Sequence, residues 1–322
     1  MSDPWTWHGG GLEAAKRRFG GENWIDLSTG VNPHPWPGAA SMSFNWQRLP
    51  DTQDLVRLEA VAAGYFGVDA SQVCAVPGTE IGLRLVGALI GGPAQHIAPG
   101  YRTHGAMIAG SAAVTWPDTG DRAGHLILAN PNNPDGRALA AGAMQDLLER
   151  RTGWLLVDEA FADADPASSI AASVGDGRRL VVFRSFGKFF GLAGVRLGFV
   201  LAPQAIVAAL RERLGAWPVS AAAIAIGTAA YADAGWVAAA RQRLGEEAAA
   251  LDAMLARRGH RPVGACPLFR LIEVDDAHAL FERLARRAML TRPFTDQPRW
   301  LRLGLPADGS ALARLEAALA DG

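Results

Sequence analysis

The 322-residue chain is long enough for one large α/β unit plus a smaller one, since single cores rarely outgrow about 250–300 residues. Its 31 Lys and Arg against 32 Asp and Glu give a net charge of -1, so it has no general attraction for nucleic acid or an anionic membrane, and any anionic ligand must be held by local charges. Cys74 and Cys266 have neither CxxC spacing nor a nearby His pair, which argues against a disulfide framework or a metal site and for a reducing compartment.

The first eleven residues are polar, aromatic and glycine-rich rather than basic and then apolar. No run approaches the roughly 18 apolar residues of a membrane span, so a soluble, untargeted, cytoplasmic protein is expected. Residues 1–40 read as an arm that returns to the small domain, and 51–66 as an early helix near the large one. Short apolar runs then follow at 73–76, 95–98, 112–116, 125–129, 154–157, 180–183 and 196–201. Helical patterns fall at 79–90, 139–151 and 203–214, with breaks at Gly78, Gly100, Gly136 and Gly153. This rhythm predicts an α/β fold with a mostly parallel sheet, helices on both faces and a ligand beyond the strand ends. After Trp217-Pro218 come alanine-rich helices at 221–231 and 236–258, then a strand at 268–274, a helix at 277–288, a strand at 300–305 and a helix at 310–320. The expected division is an arm at 1–40, a large domain at 41–216 and a small α/β domain at 217–322.

Lysine usage is the sharpest chemical signal. Apart from Lys16, the single lysine is Lys188, set in Ser185-Phe186-Gly187-Lys188-Phe189-Phe190-Gly191-Leu192-Ala193-Gly194-Val195-Arg196-Leu197-Gly198. A chain that uses arginine for nearly every other cation keeps here an amine that can lose its proton and condense with an aldehyde, which arginine cannot do. Upstream, Pro77-Gly78-Thr79-Glu80 opens a helix after a strand, where free N–H groups and the helix dipole favour a phosphate. Tyr101 follows Pro99-Gly100 after the next strand. Asn130-Pro131-Asn132-Asn133-Pro134-Asp135-Gly136 follows another, and the strand ending Trp154-Leu155-Leu156-Val157 delivers Asp158.

In this order and spacing, across residues 77 to 198, the motifs resemble the fold-type-I aminotransferase family of pyridoxal 5'-phosphate (PLP) enzymes. The resemblance implies PLP as cofactor, joined to Lys188 as an imine. Gly78, Thr79, Ser185 and Arg196 would hold its phosphate, Tyr101 would stack on the pyridine, and Asn133 would donate to the phenolic oxygen and face substrate. Asp158 would keep the pyridine nitrogen protonated. Lys188, Asp158 and Tyr101 would be the catalytic set.

Two branches of similar length fit: histidinol-phosphate aminotransferases and the threonine-phosphate decarboxylases of cobalamin biosynthesis. Trp7-His8-Gly9-Gly10-Gly11 and Leu27-Ser28-Thr29-Gly30-Val31-Asn32-Pro33 are similar to decarboxylase segments. Phe161 stands where aminotransferases carry a tyrosine. Thr291-Arg292-Pro293-Phe294 and Trp300-Leu301-Arg302-Leu303-Gly304 have the interval of a phosphate arginine followed by a carboxylate arginine. The resemblance therefore implies decarboxylation of L-threonine O-3-phosphate to (R)-1-amino-2-propanol O-2-phosphate, with His8, Asn32, Arg292 and Arg302 on the substrate; transamination of histidinol phosphate or a related amino acid is the alternative. It also implies a homodimer with a small phosphorylated amino acid as ligand, and no nucleic-acid or membrane partner. One departure is Leu49 in Arg48-Leu49-Pro50-Asp51, where relatives carry a tyrosine that reaches the neighbouring subunit's cofactor phosphate.

Overall fold

The computed structural model describes Trp5, residues 9–116 and residues 124–320. It divides into two compact units. The larger comprises Pro35–Asn133 and Ala138–Ala239; the other comprises Met1–His34, Pro134–Arg137 and Ala240–Gly322.

The first strand, β1 (Ile25–Asp26), belongs to the smaller unit. The larger unit is built on β2 (Val73–Val76), β3 (Ala94–Ile97), β4 (Ala112–Val114), β5 (His125–Ala129), β6 (Leu155–Asp158), β7 (Leu180–Ser185) and β8 (Gly198–Leu201). They lie in the order β2-β8-β7-β6-β5-β3-β4. Strands β3 to β7 run parallel, while β8 is antiparallel to both β7 and β2. Leu155–Asp158 and Leu180–Arg184 are buried throughout, as strands covered on both faces must be. Leu83 and Val86 of helix Thr79–Ile90 join Val76, Ile127, Leu156, Phe183 and Val200 in one apolar core. Register decides what emerges at the strand ends: Ala129 pairs with Asp158 and Asp158 with Phe183, so Asn130, Asp158 and Ser185 leave the sheet at one edge.

Local chemistry explains several boundaries. Helix Thr52–Phe66 starts where the Asp51 side chain accepts from Gln53 N–H and stops at left-handed Gly67. Strand β8 starts at Gly198 rather than at 196, because Arg196 is left-handed at φ 56° and cannot continue a ladder. The alanine-rich helix Ala221–Ala232 goes with the larger unit although composition groups it with the C-terminal part. Its Tyr231 packs on Phe66, Phe186, Phe190 and Phe199.

The smaller unit adds β9 (Pro262–Val263), β10 (Phe269–Glu273), β11 (Met289–Leu290), β12 (Arg292–Phe294) and β13 (Gln297–Gly304). An antiparallel sheet has the order β12-β13-β10-β9, and β1 pairs in parallel with β11. Helix Ala277–Ala285 buries Leu280, Phe281 and Leu284. Trp5 anchors the arm against Phe19 and Phe281, at ring-centroid separations of 5.7 and 5.4 Å. No single helix among the described residues is long and apolar enough to cross a membrane.

Behind the strand ends lies a buried ionic network. Arg184 Nη1 donates to Glu159 Oε2 at 2.7 Å, its Nη2 pairs with Asp163, and its guanidinium covers the Phe66 ring. Burial pushes the Glu159 carboxyl up, against Arg184 and the donors Ser169 and Ile170. Replacing Arg184 with Leu would strand two buried carboxylates and is expected to cost about 3–5 kcal/mol of stability. Urea unfolding followed by circular dichroism checks this; a midpoint equal to the parent's contradicts it.

Candidate active site

Helix Thr79–Ile90 follows β2 after a two-residue turn. Its N-cap Gly78 sits at φ 91° and no side chain caps that end, which leaves the first N–H groups to an anion. Gly78 has two reasons to be glycine. Its φ disfavours any L side chain, and a Cβ there would stand 2.7 Å from Arg196 Nη2. Ser185 pairs with Gly198 across β7 and β8, and a Cβ on Gly198 would stand 2.7 Å from the Thr79 nitrogen. The Thr79 hydroxyl donates to the Arg184 carbonyl at 3.2 Å, fastening the helix start to β7. The fold thus brings together Gly78, Thr79, Ser185 and Arg196.

Lys188 lies in the single-turn helix Phe186–Phe189 that follows β7. Phe186, Phe189 and Phe190 are fully buried, with Phe186 stacked on Phe190 at 4.6 Å and Phe190 on Trp236 at 5.5 Å. Those rings occupy the other faces of the turn and direct Lys188, half-buried, away from them. Its Nζ lies 5.9 Å from the centroid of the Phe161 ring, an aromatic wall without a hydroxyl.

Asp158 ends β6 in a buried position. Its Oδ1 accepts from Ala160 N–H at 3.1 Å, and Oδ2 lies 3.0 Å from Nε2 of the fully buried His104. With Asp158 ionised, His104 carries its proton on Nε2 and orients the carboxylate. Motif reading missed His104, although it stands three residues after Tyr101 in the one-turn helix Arg102–Ala106, close enough to share its face. Tyr101 is half-buried, and its ring meets His104 edge-on at 5.6 Å. Burial and the nearby Glu80 carboxylate push the Tyr101 phenol up to about 12.

Asn133 begins the turn after β5 and is half-buried. Neighbouring asparagines shape its loop. Asn130 Nδ2 donates to the Leu139 and Ser168 carbonyls at 3.0 and 2.8 Å, and Asn132 Nδ2 donates to the Pro99 carbonyl at 3.1 Å, beside the Gly100-Tyr101 turn. These braces were also missed in the sequence, where asparagine in a turn has many readings.

In the smaller unit, Arg292 and Arg302 are direct partners across β12 and β13 and therefore share a face. Arg302 is 2% exposed; its Nη2 donates to the Ser28 carbonyl at 2.7 Å and its guanidinium lies over Phe269. Burial, helped by the like charge of Arg292, draws the Arg302 guanidinium down to about 9, so at neutral pH it is still a cation. Gly304 N–H donates to the Leu27 carbonyl, and Gly10 N–H to Ser28 Oγ at 2.7 Å, which brings the glycine run of the arm to the segment that Arg302 bonds. Asn32 is buried, its Oδ1 accepting from His34 N–H at 2.9 Å. His8 lies outside the described residues.

The larger unit's residues fit PLP. A glycine-lined cradle at a helix N-terminus carries an arginine and a serine for a phosphate, an amine stands on an adjoining turn, and a histidine-backed carboxylate ends the neighbouring strand. A Gly198→Ala substitution puts a methyl against the Thr79 amide and is expected to weaken PLP binding at least about tenfold, the loss of one charge-assisted hydrogen bond. Fluorescence titration of the apoprotein measures it, and parental affinity contradicts the cradle.

Residues 111–319 match the aminotransferase class I and II family. The chain is 41% identical to a threonine-phosphate decarboxylase of Sinorhizobium sp over 97% of both proteins. It is 40% identical to one from Pseudomonas aeruginosa, over 97% of this chain and 96% of that protein. Among solved structures, histidinol-phosphate aminotransferase from Sinorhizobium meliloti in complex with pyridoxal-5'-phosphate superposes with a TM-score of 0.85 at 21% identity, covering 96% of this chain and 93% of that one. By sequence and by fold, the chain belongs to the aminotransferase class I and II family.

Proposed function

We propose that the protein is a PLP-dependent carboxy-lyase that converts L-threonine O-3-phosphate to (R)-1-amino-2-propanol O-2-phosphate for cobalamin biosynthesis. The larger unit is its cofactor-binding domain. The observation that carries the substrate class is the arginine pair Arg292 and Arg302, two like charges side by side on one strand pair, one of them buried. Two guanidinium forks on one face suit a ligand that carries more than one anionic group. Threonine phosphate offers both a phosphate and a carboxylate, whereas histidinol phosphate has no carboxylate. The 41% and 40% likenesses to proteins named threonine-phosphate decarboxylase support the reaction.

Bound PLP supplies an electron sink for the carbanion left when a bond at the substrate α-carbon breaks. Asp158, oriented by His104, holds the proton on the pyridine nitrogen. Gly78, Thr79, Ser185 and Arg196 would hold the cofactor phosphate, and Tyr101 and Asn133 would bind its ring. Lys188 Nζ would be the amine that holds the cofactor and the group that would carry a proton to the substrate α-carbon. On the substrate, Arg302 orients the carboxylate as a planar fork while Arg292, Asn32 and His8 receive the phosphate. A fork that holds the carboxylate would favour breaking the bond from the α-carbon to the carboxylate over breaking the α-hydrogen bond.

A cytoplasmic homodimer completes the reading. Val56 and Trp217 are exposed apolar side chains on an apolar cavity of about 650 Å³, Leu49 precedes Pro50 at its rim, and Trp217 is held left-handed at φ 54°. A second copy of this chain is the occupant we assign to that face.

Purified enzyme is expected to release carbon dioxide from threonine phosphate with no 2-oxo acid added. An absolute requirement for a 2-oxo acid would favour the aminotransferase reading instead. The KM for threonine phosphate is expected to be level below about pH 9 and to climb above it. Arg302 must be protonated to bind, anion binding raises its pKa, and affinity is therefore lost as pH rises through the free-state value. In Arg302→Met the KM should rise about 100-fold, as for an unpaired charge contact, and lose that pH dependence; a parental KM contradicts the assignment.

A further inference from the structure

Glu80 has no role in the chemistry above, yet both of its carboxylate oxygens are engaged by side chains from two elements. Tyr101 Oη donates to Oε2 at 3.0 Å. The buried Thr103 hydroxyl lies 2.8 Å from Oε2 and 3.1 Å from Oε1, and Arg84 Nε donates to Oε1 at 2.7 Å. Arg84 is mostly exposed, so its ion pair weighs little, and the firm contacts are the two hydroxyls. Burial opposes ionisation of Glu80, but Thr103, Arg84 and Tyr101 together outweigh it and hold the carboxyl below its usual range.

A carboxylate in the first turn of a phosphate-binding helix competes with the phosphate for the same dipole. A first-turn acid is common because it stabilises the helix through that dipole, and what singles out Glu80 is that the Tyr101 and Thr103 hydroxyls both bond it. Glu80 is the residue after Thr79, whose amide belongs to the cradle. Tyr101 in turn meets His104 edge-on at 5.6 Å, and His104 bonds Asp158. Glu80, Tyr101, His104 and Asp158 thus form one continuous line from the phosphate end of the site to the carboxylate for the pyridine nitrogen. We propose that Glu80 is a positioning residue that fixes the plane and height of the Tyr101 ring over the cofactor. Tyr101 then acts through its ring, its hydroxyl proton committed to Glu80 and unused as a catalytic acid. This rests on the PLP reading and adds a residue to it.

The experiment compares Glu80→Ala, Glu80→Gln, Tyr101→Phe and the double variant Glu80→Ala/Tyr101→Phe. Three quantities are read: the Kd for PLP, the induced circular dichroism of the bound cofactor, and the melting temperature of the apoprotein. Tyr101→Phe keeps the ring and removes only its anchor. It and Glu80→Ala are each expected to raise Kd about tenfold and to change the induced dichroism in the same sense. The double variant should lie within about twofold of Glu80→Ala, because both changes break one interaction. Glu80→Gln, which keeps an acceptor, should fall between the parent and Glu80→Ala. Parental Kd and dichroism in Tyr101→Phe, effects that multiply in the double variant, or a lowered apoprotein melting temperature with unchanged cofactor dichroism would each overturn the proposal. A parent that binds no PLP would overturn the cofactor reading itself, an outcome distinct from a parent that binds PLP and variants that match it.

Discussion

The antiparallel pairing of β7 with β8 is the constraint on which the site depends. It sets Ser185 opposite Gly198, and Gly198, lacking a side chain, lets the start of helix Thr79–Ile90 close onto the ladder. Ser185 and the Thr79 amide come from segments about a hundred residues apart, yet they meet because one position carries no Cβ. The loop between the paired strands holds both Lys188 and left-handed Arg196. Lys188 and Arg196 are therefore placed by the same hairpin-like excursion, and a register slip would move both together.

Rigidity around that excursion comes from two unlike sources. On one side, Phe186, Phe190, Tyr231 and Trp236 form an aromatic cluster that fixes the rotation of the lysine turn. On the other, Arg184 joins Glu159 and Asp163 in buried ion pairs next to Ser185 and Asp158. Each reactive residue thus has a sequence neighbour pointing the other way into fixed packing, as strand alternation requires. The smaller unit follows a different logic, setting Arg292 and Arg302 opposite one another on adjacent strands.

Much of this was legible because the chemistry needs rare residue types. A lone lysine among arginines, a run of asparagines and prolines, and an acid at an apolar strand end survive as signals without coordinates. The sheet was readable for the same reason: strands buried on both faces are continuous apolar runs. The rest was hidden by distance or brevity. Strands β1, β9, β11 and β12 span two or three residues and carry no period. His104 and Glu80 matter only through partners 54 and 21 residues away. Helix Ala221–Ala232 is apolar on every side, so composition could not say which unit it joins. Arg196 fell inside an expected strand because nothing in its type announces a positive φ.

The central claim is that the amine at position 188 carries the cofactor. With Lys16 as the sole other lysine, borohydride reduction of the PLP-loaded protein followed by peptide mass mapping tests it directly. The account predicts a reduced pyridoxyl group on the peptide containing Lys188 and none on that containing Lys16. A label on Lys16, or no label on a protein that has turned over substrate, would contradict it.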